Sequence, residues 1–199
     1  ARATNMKPRI QKIGEKFARR TGKFPLYVRK ARWAISHDNR GEINPLFILG
    51  VQRSGTSILI KQLERCLDVR TYTETQHSPA YDKFRLRDLE TIKALCRKSR
   101  QKIIAFKPLT DSHRAQEFLS LSDTSKILWM FRKANDRANS AVARFGAHNS
   151  RILAQFSRGE GLDRWQAQGL SEQSVAFIKQ FDYEKSNAET AAAIFWYVR

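Results

Sequence analysis

The stretch from Leu46 to Leu67 constrains the fold more than any other part of the chain. A short apolar run, Leu46-Phe47-Ile48-Leu49, ends at Gly50, and the polar turn Gln52-Arg53-Ser54-Gly55-Thr56-Ser57 follows. Ile58, Leu59, Leu63, Cys66 and Leu67 then recur at helical spacing. This order predicts a buried strand, a tight loop and the N-terminus of a helix. The first N–H groups of a helix have no intrahelical acceptor, and the helix dipole places its positive end there. Such a place suits phosphate-like anions. The competing reading is an ordinary strand-turn-helix, because Gly and Ser are common turn residues.

The loop is also informative for what it lacks. A nucleoside-triphosphate loop reads G-x-x-x-x-G-K-[ST], its Lys reaching the outer phosphates. The spacing from Gly50 to Gly55 is right, but Thr56 stands where that Lys would be, and Arg53 is the cation inside the loop. A second segment has the same form. Ser125 to Phe131 reads as an apolar strand, Arg132 follows it directly, and Asp136 to Phe145 reads as a helix with Ala138, Val142 and Phe145 on one side. Ser140 lies eight positions after Arg132. An Arg at a strand end and a Ser one to two turns into the next helix can converge on one anion, as a forked cation and a neutral hydroxyl. Taken alone, a surface Arg and a solvated Ser explain this pair more simply.

Together the two segments resemble the sulfotransferases that use 3′-phosphoadenosine 5′-phosphosulfate (PAPS). Gln52-Arg53-Ser54-Gly55-Thr56-Ser57 is similar to that family's loop for the 5′-phosphosulfate, in its Pro-Arg-Ser-Gly-Thr form. Arg132 and Ser140 match the family's Arg and Ser for the 3′-phosphate, in the same order and at the same spacing. Ala134 departs from the pattern, where the family often has Pro. The resemblance covers roughly Pro45 to Phe145 and implies a P-loop-like α/β fold. It also implies PAPS as co-substrate, 3′-phosphoadenosine 5′-phosphate (PAP) as product, and no metal. The nucleotide-binding residues would be Arg53, Ser54, Gly55, Thr56, Ser57, Arg132 and Ser140.

The segments around these motifs read as further strands and helices. Val69 to Thr73 and Lys102 to Phe106 are strand-like, Tyr81 to Lys98 looks largely helical, and Asp111 or Ser112 is a candidate cap for a helix carrying Ala115, Phe118 and Leu119. Strands separated by helices predict an α/β fold with a mainly parallel central sheet flanked by helices. Ligands of such sheets sit at the C-terminal strand ends. Arg53, Glu74, Lys107 and Arg132 all lie just past a strand end. Sulfuryl transfer needs fixed cations and a base for the acceptor's proton. Arg53 and Lys107 are the cation candidates. In the family the base is a Glu or a His; Glu74 is the first candidate by its position, His77 the second.

The chain carries 37 Lys and Arg against 19 Asp and Glu, a formal charge of +18. Residues 1–40 hold 12 of the cations and 2 of the acids. Such a field concentrates anionic nucleotides, acidic glycans, nucleic acid or lipid surfaces without choosing between them. Ile10, Ile13 and Phe17 with surrounding Lys and Arg, then a basic helix over Tyr27 to Ser36, predict a basic helical arm over residues 1–44. It either packs on the domain or lies on anionic lipid. Residues 45–199 read as the α/β domain, and the resemblance implies that it is incomplete at its C-terminus, since family members usually continue with another strand. No run of 18 apolar residues and no signal-peptide pattern is visible, so a cytoplasmic location is expected, with contact at a membrane surface through residues 1–40 as an option. Cys66 reads as a buried thiol on the helix face, and no Cys/His cluster has zinc spacing. The expected activity is transfer of a sulfuryl group to a hydroxyl or amine, with an acidic glycan or a lipid-linked group as candidate acceptors. The alternatives are a P-loop kinase and a non-catalytic basic module for nucleic acid or membranes.

Overall fold

The computed structural model describes residues 25–75 and 77–199. Four parallel strands form the central sheet: β1 (Pro45–Gly50), β2 (Val69–Tyr72), β5 (Ile103–Phe106) and β6 (Lys126–Met130), in the order β2-β5-β1-β6. β1 pairs with β5 from Pro45 opposite Ile104 and with β6 from Leu46 opposite Lys126. Parallel strands need crossovers, and the crossovers cover both faces. Side chains alternate across the sheet. Phe47, Leu49, Ile104 and Phe106 therefore enter one core, with Tyr72, Ile92 and Phe118, whereas Ile48, Ala105 and Val69 enter another with Ile60. Phe47 stacks on Phe118 at 4.7 Å between ring centroids and on Phe106 at 5.4 Å. These aromatic contacts hold the first face together around the central strand. The α/β architecture with a parallel sheet flanked by helices agrees with the reading of the sequence.

Helix α1 (residues 25–36) precedes the sheet, and α2 (Thr56–Leu63) follows β1. α1 docks against the edge of β2, where the Lys30 ammonium donates to Val69 O at 2.6 Å. The linker after it is tied down by Asn39 Nδ2 donating to Arg100 O at 2.9 Å and Gly41 N donating to Arg97 O at 3.0 Å. Residues 25–44 of the expected arm thus pack on the domain; Ile10, Ile13 and Phe17 lie outside the described residues. α3 (Leu89–Lys98), α4 (Ala115–Leu119) and α5 (Ala134–Phe145) alternate with the later strands. α6 (His148–Ser157), α7 (Glu172–Ile178) and α8 (Ala188–Val198) form a helical layer with its own core of Ile152, Leu153, Phe156, Ile178 and Phe195. Ala138 and Ala141 of α5 meet Ala192 of α8, small side chains that permit close helix approach. Among the described residues no helix is long and apolar enough to cross a membrane.

Three local expectations are corrected. Tyr81 to Lys98 is not one helix: β3 (Tyr81–Asp82) and β4 (Arg85–Leu86) form a hairpin before α3. Its two turn residues, Lys83 at φ 43° and Phe84 at φ 71°, adopt the left-handed conformation that a tight two-residue hairpin requires. Asp88 then starts α3 by accepting from Thr91 N at 2.8 Å. Asp111 and Ser112 do not cap α4, whose preceding residue is Arg114. Asp111 is fully buried and accepts from Arg85 Nε at 2.7 Å and Leu86 N at 2.9 Å, which clamps the hairpin onto the short 3-10 turn Leu109–Arg114. Ser112 instead receives Gly50 N on its hydroxyl at 3.1 Å. Cys66 is exposed because α2 stops at Leu63 and the turn after it breaks the helical phase; Cys96 is the buried thiol, pushed up to about 12 by burial.

Candidate functional site

The end of β1 is built for close approach. A Cβ on Gly50 would lie 2.2 Å from Met130 O, and Gly50 has φ 133°, so a side chain there meets both steric and backbone strain. The chain then turns tightly. Arg53 takes φ 75° and Gly55 φ 95°, and Ser54 N donates to Val51 O at 3.3 Å. Gly55 caps α2 without a side-chain acceptor, and the first helical bonds are from Ile58 N and Leu59 N to Gly55 O. The N–H groups of Thr56 and Ser57 precede that ladder. The buried Ser54 hydroxyl has no hydrogen-bond partner among the described residues. Free N–H donors at a helix start are of the kind that suits an anion.

A cleft of about 290 Å³ opens over this loop. Its polar walls are Arg53, Gly55, Thr56 and Ser57 of the loop together with Glu74 after β2, Lys107 after β5, and Arg132 and Ser140 on the β6–α5 side. Ile58, Leu109 and Phe145 supply apolar wall. Segments far apart in sequence meet here because β1 sits between β5 and β6, so the loops following those strands open at the same end of the sheet. Arg53 Nε donates to Ser140 Oγ at 3.1 Å, a direct link between the two anion-type motifs. Arg132 is exposed at the rim.

Glu74 and Lys107 form the charged pair of the cleft. Lys107 Nζ lies 3.3 Å from Glu74 Oε2, with their side chains 12% and 13% exposed. Thr110 N donates to Glu74 Oε1 at 3.3 Å. Burial raises the Glu74 carboxyl above its ordinary value, and Lys107 and the N–H groups of Thr110 and Leu109 pull it back in part. A carboxylate shifted toward neutrality is a stronger proton acceptor than an ordinary one. The backbone of Lys107 is fixed in turn, since its N–H donates to Tyr81 Oη at 2.8 Å. His77, the second candidate base, is exposed and is not among the residues lining the cleft.

Arg137 supports the loop from beneath and was not singled out in the sequence. It is 1% exposed on α5, donates from Nε to Gln52 O at 3.1 Å and from Nη1 to Ala192 O at 2.6 Å, and lies 5.5 Å from the Phe195 ring. Among the described residues no carboxylate pairs with it, and burial lowers its guanidinium to about 10. Its sequence signal is a charged residue in register with the alanine stripe of α5, four positions before Ala141. Val51 packs against the α6–α8 core beside it, so the loop is anchored to the helical layer as well as to the sheet. Among the described residues no group of three or more His, Cys, Asp or Glu side chains could hold a metal ion. Comparison with protein-family models, with curated proteins and with solved structures gave no match.

Proposed function

We propose that the chain is a PAPS-dependent sulfotransferase whose P-loop-like strand-loop-helix binds the 5′-phosphosulfate. The observation that carries this reading is the convergence of both anion-type motifs and the Glu74–Lys107 pair on one cleft. The donor set suits a multiply anionic nucleotide: first-turn N–H groups, the unpartnered Ser54 hydroxyl, Arg53, Arg132 and Ser140. A cleft of about 290 Å³ is at the lower end for small-molecule sites, roughly 300–1,000 Å³. Thr56 in place of the nucleoside-triphosphate Lys argues against a kinase.

In this reading Arg53 and the N–H groups of residues 55–57 hold the 5′-phosphosulfate, and Arg132 and Ser140 hold the 3′-phosphate. A new S–O bond forms to the acceptor oxygen while the bond from sulfur to the bridging oxygen breaks. Its electron pair leaves on the phosphate of PAP, and the acceptor's proton goes to the Glu74 carboxylate. Lys107 stabilises charge on the departing oxygen. Fixed cations supply this stabilisation best where water is largely excluded, and Lys107 is 12% exposed.

The test is calorimetric titration of the whole chain with PAP and with ATP, without and with magnesium. PAP should bind more tightly than magnesium-free ATP. Binding of ATP that requires magnesium would favour the kinase reading. Salt-sensitive binding of RNA or anionic vesicles with no binding of PAP would favour a non-catalytic basic module.

A further inference from the structure

Three cavities join into one trench across the face of the sheet's C-terminal end and along its β2 edge. The cleft above shares Ser57, Glu74 and Lys107 with a neighbouring cavity of about 400 Å³. That cavity shares Thr71 and Glu64 with a groove of about 530 Å³ between α1 and the edge of β2. Glu74 and Lys107 stand at the junction of the first two, so a donor in the cleft and an acceptor in the cavity would meet at them. The middle section presents hydroxyls from Ser57, Thr71, Thr73 and Thr75. The far groove is basic, lined by Lys30, Arg70, Lys98 and Arg100, with Glu64 as the acid of its lining. Lys30 already donates to Val69 O and the Arg70 guanidinium lies over the Tyr72 ring, 5.3 Å from its centroid; Arg70, Lys98 and Arg100 are the cations whose removal tests the groove.

Resting on the sulfotransferase reading, we propose that the acceptor is an acidic oligosaccharide lying along this trench. One sugar hydroxyl reaches Glu74, and carboxylate or sulfate groups farther along the chain sit in the Arg70–Lys98–Arg100 groove. From Arg70 to Glu74 the backbone advances at most about 13 Å at a strand's rise of roughly 3.3 Å per residue, since β2 ends at Tyr72 and Thr75 N turns back to Thr73 O, a span for more than one sugar unit. A wall of hydroxyls complements sugar hydroxyls, and every sugar unit carries a possible nucleophile. Single-stranded nucleic acid is held by a cationic groove together with aromatic platforms under successive bases, and Tyr27 alone supplies a ring among the lining residues of the middle and far cavities.

The experiment measures binding to the whole chain of a heparin-derived hexasaccharide, a neutral glucose hexasaccharide and a single-stranded RNA, alongside PAP. The probes are repeated on the combined variant Arg70→Ala, Lys98→Ala, Arg100→Ala. A control of equal charge change carries Arg151→Ala, Lys179→Ala, Lys185→Ala on the helical layer. The acidic hexasaccharide should bind and the neutral one should not. The groove variant should lose about tenfold or more in affinity for it, while the control variant and PAP binding stay near wild type. The proposal is overturned if both triple variants lose affinity equally, if neither does, or if RNA binds more tightly than the glycan and depends on the same groove. Absence of PAP binding by the wild type would overturn the sulfotransferase reading itself, whereas PAP binding with an indifferent groove overturns the acceptor alone.

Discussion

Replacing Arg137 with Met tests how the loop over residues 52–57 is held. The substitution keeps a long side chain in the same space and removes every donor. Gln52 O, in the loop, then loses its guanidinium donor, and leaving this half-buried carbonyl unsatisfied costs about 1 kcal/mol, the low end of the roughly 1–3 kcal/mol of a fully buried one. Ala192 O loses less, because it sits inside α8 and takes part in that helix's own ladder. Loss of the contact with the Phe195 ring removes about 0.5–2 kcal/mol. Relief from burying an unpaired cation offsets part of this sum. A net loss of about 2 kcal/mol results, which for a chain of this length lowers Tm by about 4–8 °C. PAP affinity should fall by about tenfold although Arg137 does not line the cleft, because the carbonyl that fixes the loop's path is released. Thermal unfolding and PAP titration read the two effects. A lower Tm with unchanged PAP affinity would reduce Arg137 to a core residue. An unchanged Tm would refute the bracing argument altogether.

Glu74→Gln preserves size but cannot act as a carboxylate base; turnover should fall by about 10²–10⁴-fold with PAP binding nearly unchanged, and His77→Ala should leave turnover near wild type. Because burial raises the Glu74 carboxyl, the acidic limb of kcat/KM should lie above its ordinary value of 4.5. The same sign governs stability: a raised folded pKa favours the fold at low pH, so Glu74→Gln should gain on wild type as pH rises through that window, as read by denaturant unfolding at several pH values. Gly50→Ala should destabilise the chain strongly or prevent folding, since its Cβ would stand 2.2 Å from Met130 O; near-normal denaturant stability would contradict the close packing of β1 on β6.

The parts of the fold that were legible are those with strong local patterns. β1 is apolar along its whole length and bounded by a glycine and a polar turn, so its central place in a parallel sheet follows. The meeting of Arg53, Glu74, Lys107 and Arg132 at one cleft was legible because these residues come just after strands, and parallel topology carries those ends to one side. The hairpin over residues 81–86 was not, because it depends on two non-glycine residues in the left-handed conformation and on a buried carboxylate from residue 111. Asp111 next to Ser112 looks like a helix start locally; its tertiary partners decide otherwise. β6 reads as an apolar strand, yet it is the edge of the described sheet, with Leu128 37% and Trp129 47% exposed. Arg137 escaped because a lone Arg on a helix resembles surface charge until its burial is seen.

The central claim is that the two anion-type motifs form a single nucleotide site with Arg132 and Ser140 on the 3′-phosphate. It is tested most directly by titrating wild type and Arg132→Ala with PAP and with 5′-AMP, which lacks that phosphate. A charge-assisted hydrogen bond contributes about 1.5–3 kcal/mol. Wild type should therefore prefer PAP to 5′-AMP by roughly tenfold or more, and Arg132→Ala should erase that preference by weakening PAP while leaving 5′-AMP unchanged. Equal affinity of wild type for the two nucleotides, or an equal loss for both in a folded Arg132→Ala variant, would contradict the account.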